Sequence, residues 1–449
     1  MWRIYQACGV LAVAMAFSAT AGAADPSELG KSLSPFGAVK AGNADGSIPA
    51  WDGGITKPPE GYKTGQHYIN PYAGDKPLFT ITGDNVDKYA DKLSAGTIAK
   101  LKAYPSFKVV VYPSHRSFAA PQYVYDAAIA NAKTAHLGPD GQSPVDSVVT
   151  IPFPLAADAG PQAGIEAMLN HNLHWRGTQL KNHTAAAAVT ESGDYVEQKI
   201  DLRLIYPYAA PNTHTTLNVY FYAETVAPSR TAGDIVLVHE FTDPLAEHRQ
   251  AWTYNPGQRR VRRAPEIEYD NPIGAYDSLT TTDDFDMFNG ALDRFDWKLI
   301  GKKEIYVPYN DYAMQDPKYQ YADLIKPLVL NPDLERWEPH RVYVVEATLK
   351  SGAKHVYSKR RYYIDEDSWY ILLADLYDGH DQLWRAHTNH TINFYDTPIT
   401  ATVGLEYCDL QARRYTVTGL FNQDPVPTYT GTDLQVADFT PDALRRGGH

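Results

Sequence analysis

The 449 residues are 44% hydrophobic and 21% charged, the balance of a globular protein that buries a large core. That length suits two or three domains, or one large β domain with additions. A formal net charge of −12 argues against nucleic acid as a general partner, because phosphate binding needs an extended basic surface.

The N-terminus reads as a secretory signal peptide over residues 1–23. Arg3 supplies the positive region, residues 9–17 the apolar run, and Ala21-Gly22-Ala23 the cleavage site, near Ala23/Ala24. The run is too short to span a membrane, no later segment is long and apolar enough to do so, and the expected location is the periplasm. Cys8 leaves with the peptide, and Cys408 alone cannot form an intramolecular disulfide.

Residues 24–82 are rich in Gly, Pro and Asn and read as an extended arm packed on the body through Phe36, Ile48 and Trp51. Residues 83–177 form a helical region covering the sheet. Within it the spacing predicts helices over 84–103 (capped by Asp84 and broken at Gly96), 123–137 and 164–173. Residues 178–449 read as a large antiparallel β domain. Strands are expected at 196–206, 217–226, 235–241, 250–263, 341–349, 356–364, 370–377, 383–394, 400–409 and 411–418. Residues 270–298, densest in acid at Asp283, Asp284 and Asp286, read as a solvated loop with short helix.

The hairpin at 250–263 stands out. Trp252 and Tyr254 share one strand face, Asn255-Pro256-Gly257 makes the turn, and Arg259, Arg260, Arg262 and Arg263 load the return arm. Core packing is the first reading of the two aromatics. The arginines either pair with the protein's own acids or form a cationic rim for an anionic group or acidic partner. His171 and His174 lie one helical turn apart without a third ligand, and His387 and His390 point to opposite strand faces. Neither pair reads as a metal site. No G-x-S-x-G, glycine-rich phosphate loop or H-E-x-x-H is present, so the residues call for no cofactor and name no catalytic group.

Three motifs carry a resemblance. They are Leu33-Ser-Pro-Phe-Gly-Ala with 41–54, Ile151-Pro-Phe-Pro with 164–171 and Trp175-Arg-Gly, and Arg360-Arg-Tyr-Tyr-Ile-Asp-Glu-Asp-Ser-Trp369 together with the hairpin. The chain resembles a proteobacterial periplasmic family of unknown function, domain family 1329, described as outer-membrane lipoprotein-sorting-like. It departs from that pattern at His174, where an arginine is expected. The resemblance implies a mainly β fold with inserted helices: a large, curved, incompletely closed antiparallel β-barrel of the LolA/LolB kind, covered by helices.

It further implies a carrier for a hydrophobic, lipid-like molecule, accompanying an inner-membrane transporter of the resistance-nodulation-division type and an outer-membrane β-barrel protein. The arm and the helices of 84–137 are the expected lid. The ligand contacts expected on this reading are Trp252, Tyr254, Arg260, Arg262, Arg263, Trp175 and Arg176. The alternatives are an enzyme acting on envelope glycans or lipids, and a scaffold that docks on the barrel partner.

Overall fold

The computed structural model describes residues 25–155, 160 and 162–447, so the expected signal peptide lies outside the described residues. In chain order it runs β1 (Phe79–Ile81), α1 (Ala95–Ala103), β2 (Val109–Val111), α2 (Gln122–Thr134), β3 (His136–Leu137), β4 (Pro144–Val145) and α3 (Ala163–Asn172). Six strands follow: β5 (Gln179–Val189), β6 (Tyr195–Ile205), β7 (Leu217–Ala227), β8 (Ile235–Phe241), β9 (Gln250–Asn255) and β10 (Arg260–Arg263). Then come β11 (Phe295–Pro308), α4 (Tyr321–Leu324), β12 (Trp337–Leu349), β13 (Lys359–Asp365), β14 (Ile371–Tyr377), β15 (Leu383–Phe394), β16 (Ile399–Asp409), β17 (Arg414–Leu420) and α5 (Pro441–Gly447).

All the strands except β3 and β4 form one 15-stranded sheet. Two antiparallel meanders, β5 to β10 and β11 to β17, are joined where β17 pairs with β5 through Tyr415 and Val189. The sheet ends at β10 on one side and at β11 and the β1–β2 ribbon on the other, and these ends do not pair. It is therefore an unclosed sheet with helices laid on it, as expected, antiparallel throughout except where β2 meets β12 in parallel through Val111 and Trp337.

The period-2 alternation of the strands separates two apolar clusters on opposite faces. Val342, Val344, Tyr363, Val403 and Val417 pack on one face with Leu101 of α1. Tyr343, Val345, Tyr362, Ile364, Leu405 and Tyr407 pack on the other with Val124 and Ala128 of α2, Ala167 and Met168 of α3, and residues Met287, Phe288 and Leu292. Phe36 and Ile48 are buried against the body, Trp51 donates to the Phe118 carbonyl at 3.2 Å, and Trp369 donates to the Phe36 carbonyl at 3.0 Å.

Three expectations need correction. Gly96 does not break a helix. The interruption falls before it, and Ser94 caps α1 by accepting from Thr97 N–H. Glycine is required there because a Cβ would lie 2.6 Å from Ala386 Cβ, and Gly96 N–H donates to Asp375 at 2.8 Å. The run taken as loop up to residue 298 already contains the start of β11, where buried Phe295, Trp297 and Leu299 alternate with exposed Asp296, Lys298 and Ile300. And β5, Gln179–Val189, carries four consecutive alanines that hide a strand from propensity.

Candidate functional site

The acidic run is not solvated. Asp283 and Asp284 are buried, at 4% and 0% exposure, and segment 276–288 sits as a plug against the face that also carries α2 and α3. Beneath it, two neighbouring rows cross the sheet. One runs Ala347, Arg360, Leu376, Arg385 and Asp409, and the other Val345, Tyr362, Ala374, His387 and Tyr407. Two guanidinium groups, an imidazole and two phenols thus share one face, and the plug brings carboxylates to them.

Arg360 is wholly buried and donates through Nη2 to Asp283 Oδ2 at 2.6 Å and through Nη1 to the Tyr362 hydroxyl at 3.1 Å. Asp283 also accepts from Thr281 Oγ1 at 2.7 Å and lies 3.0 Å from His355 Nε2. Burial opposes its charge, but Arg360 and His355 outweigh that and hold its carboxyl well below the usual aspartate range. Asp284 accepts from the Tyr357 hydroxyl at 2.8 Å. Arg385 donates to that same hydroxyl at 2.7 Å and to the Ser278 carbonyl at 3.0 Å, so it too grips the plug.

His387 is different. Both of its ring nitrogens are buried without a hydrogen-bond partner among the described residues, as are Asp284 Oδ1 and Arg360 Nε. Burial, helped by Arg385 and Arg360 and resisted by Asp284 and Glu406, pushes the imidazole down to about 4, so it is neutral at pH 7. The plug backbone is strained: Asp277, Ser278, Asp286 and Met287 have φ of 53°, 60°, 53° and 70°, a region that L side chains rarely adopt.

The far end of the plug meets the end of α3. Arg176 pairs with Asp286 and donates to the Asn172 carbonyl at 2.7 Å, which satisfies a free carbonyl at the helix C-terminus. Burial works against the Arg176 charge, and Asp286 more than restores it. His171 faces the Trp369 carbonyl at 3.1 Å and the Asp286 carbonyl at 2.9 Å, and its neutral ring can donate to only one of them. His174 lies against Tyr370, ring centroids 4.0 Å apart and tilted by 55°, and its Nε2 has no partner among the described residues. The plug thus meets α3 through incompletely satisfied polar contacts beside the apolar packing of Met287 and Phe288. Trp175 is a core residue, 2% exposed, donating to the Pro398 carbonyl at 2.9 Å.

The hairpin lies elsewhere. Tyr254 is buried and Trp252 half-buried, in a separate cluster with Leu237 that Leu434, Phe439 and Leu444 cover from the C-terminal segment. Arg260, Arg262 and Arg263, with Arg259 beside them, are exposed on the edge strand, and none has an ion-pair partner among the described residues. The expected site residues therefore divide between two places, Trp175 and Arg176 by the plug and the other five at the hairpin. Sequence analysis assigned no site role to Arg360, Arg385, His355, Tyr357 or His387; strand register brings Arg360, Arg385 and His387 together, and the loop before β13 adds His355 and Tyr357.

Among the described residues one group has metal-ligand spacing, the buried His340, Asp365 and Asp367. Arg116 engages both oxygens of Asp367, at 2.9 and 2.6 Å, which makes it a salt-bridge network. The cleft beside the plug, lined by Leu169, Asn172, Glu240 and Asn289, has a volume of about 20 Å³. It admits water and not an acyl chain.

The family model described as "Protein of unknown function (DUF1329)" matches residues 80–445. The chain belongs to this family. Its relatives include the uncharacterized protein PA3922 of Pseudomonas aeruginosa, 43% identical over 448 residues, covering 98% of this chain and 97% of that one. Among solved structures, this DUF1329 chain is similar to a DUF1329 family protein from Desulfovibrio piger (16% identity, 63% of this chain and 98% of that one, TM-score 0.44). It is also similar to a putative outer membrane lipoprotein-sorting protein domain from Vibrio parahaemolyticus (14%, 64% and 100%, 0.43). A third likeness is to a LolA superfamily protein, NE2245, from Nitrosomonas europaea (10%, 62% and 96%, 0.37). No helix among the described residues is long and apolar enough to cross a membrane.

Proposed function

We propose that this DUF1329 protein is a periplasmic binding protein of the carrier kind. It takes up a hydrophobic, lipid-like molecule between its sheet and the layer formed by α2, α3 and the plug, and it works between an inner-membrane transporter and the outer membrane. The observation that carries this reading is the nature of that layer. An apolar face of an unclosed sheet is covered by short helices and a strained loop, fastened at Asp283 and Asp286 by charge pairs and at Asp284 by the Tyr357 hydroxyl. Polar fastenings hold a layer in one place yet can be exchanged for water or ligand, where a continuous apolar interface could not. Each 100 Å² of acyl surface moved beneath it is worth about 2.5 kcal/mol at 25 cal/mol per Å². Of the expected lid, the arm and the helices of 84–137, α2 belongs to this layer and α1 is less suited to that part. Lys100 of α1 is locked in a buried 2.6 Å pair with Glu406 on the opposite face. The exposed arginines of β10 are the proposed contact with a donor or acceptor surface.

The test is lipid transfer. Mature protein added between donor vesicles holding a self-quenched fluorescent phospholipid and unlabelled acceptor vesicles is expected to raise the transfer rate in proportion to its concentration. A rate equal to that of an inert protein would remove the carrier reading.

A further inference from the structure

We propose that the cradle under segment 276–288 is a binding site for the anionic headgroup of an amphiphile, a phosphate or carboxylate, and that Asp283 and Asp284 fill it in the anion's place. This rests on the carrier reading and adds the ligand class. Every cradle side chain that meets the plug carboxylates does so as a hydrogen-bond donor: Arg360, His355 and the Tyr357 hydroxyl, with Arg385 donating alongside. Phosphate and carboxylate oxygens want the same set, and guanidinium groups present it in fixed, forked geometry.

The plug does not use all of it. His387 lies on the face of Arg385 and Tyr407, 1% exposed, with neither nitrogen engaged, and Arg360 Nε is also unpartnered. The cradle thus keeps donors that the plug does not engage, and Asp284 Oδ1 in turn has no partner among the described residues, so the plug's carboxylates fit the cradle imperfectly. The plug is also costly to hold in place, with four non-glycine residues at positive φ. An incoming anion would replace one set of negative charges by another, so the buried guanidinium groups would not be left uncompensated as the plug leaves. The cleft at Leu169, Asn172 and Asn289 lies where the plug ends against α3, and at about 20 Å³ it leaves room for water alone, so the headgroup reaches the cradle only as the plug lifts.

The experiment is calorimetric titration of the mature protein with three probes: dihexanoylphosphatidylglycerol, dihexanoylphosphatidylcholine and inorganic phosphate. Wild type is compared with Asp284→Asn and Arg360→Gln, and circular dichroism checks each fold. Weakening the plug raises the fraction of binding-competent protein, so Asp284→Asn is expected to bind the phosphatidylglycerol about tenfold tighter. Arg360→Gln is expected to bind it at least about tenfold more weakly. Misfolding would weaken both variants, so opposite shifts cannot come from it. Equal tightening for phosphatidylcholine overturns the anionic site and leaves the carrier reading standing. Inorganic phosphate binding as tightly as the phosphatidylglycerol overturns the amphiphile in favour of a free-anion site. No binding of either lipid by any variant overturns both.

Discussion

Replacing Asp283 by Asn removes the plug's central charge while keeping its shape and one acceptor for Thr281. Arg360, wholly buried, would keep only the neutral Tyr362 hydroxyl and the neighbouring His355 as polar company. Breaking a buried pair by removing one partner costs about 3–5 kcal/mol, because the remaining charge is uncompensated. That cost falls on the closed state alone if the plug can lift, since lifting lets Arg360 hydrate. At 1.4 kcal/mol per factor of ten, the open fraction then rises by about a hundredfold or more.

Amide hydrogen exchange reads this directly. The Asn289 N–H bonds the Asp283 carbonyl at 2.9 Å and the Asp284 N–H bonds the Thr281 carbonyl at 3.0 Å. Both are expected to lose protection by that factor, while amides of β13 to β16 keep theirs. The sign with pH follows from a carboxyl held below its ordinary value of 3.8. The pair's contribution is complete above that value and is lost only as pH falls below it. Loss of protection everywhere at once would mean that the plug opens only with the whole molecule. Unchanged protection at 284 and 289 in a folded variant would refute the charge-pair fastening.

Three further outcomes are expected. His387 is held down at about 4, so the unfolded chain binds a proton that the folded one refuses, and stability is lost as pH falls from about 6.5 to 4. His387→Phe should remove up to about 3 kcal/mol of that loss, and urea melts at pH 7 and 4.5 that change equally in both proteins would contradict it. Gly164→Ala should lower the melting temperature through about 1–3 kcal/mol of overpacking, because a Cβ would lie 2.7 Å from the Trp297 and Lys298 backbone. An unchanged melting temperature would mean that α3 is not seated on β11. Changing Arg259, Arg260, Arg262 and Arg263 to Gln should alter stability by less than about 0.5 kcal/mol yet abolish salt-sensitive binding to anionic vesicles. Binding that survives would leave the edge without that role.

The strands were legible wherever period-2 runs met turn residues: β8 and β15 fall where the pattern puts them, and the meander from β12 to β15 pairs in chain order. β5 was hidden because alanine carries little strand preference, and its strand state comes from pairing with β6 and β17. The site was the least legible part. Asp283 meets Arg360 77 residues later and Asp286 meets Arg176 110 residues earlier, so an acidic run that locally looks solvated is neutralised by groups only the fold supplies. The cluster of Arg360, Arg385 and His387 likewise depends on strand register, which a single sequence does not fix. Arg176 was visible beside its motif, but its partner was not.

Native purification followed by solvent extraction and mass spectrometry is the most direct measurement of the carrier claim. Mature protein released from the periplasm without detergent should yield a lipid-like molecule in near-stoichiometric amount, enriched in an acidic headgroup. Protein that yields none, and takes up none when offered periplasmic membrane lipids, would contradict it.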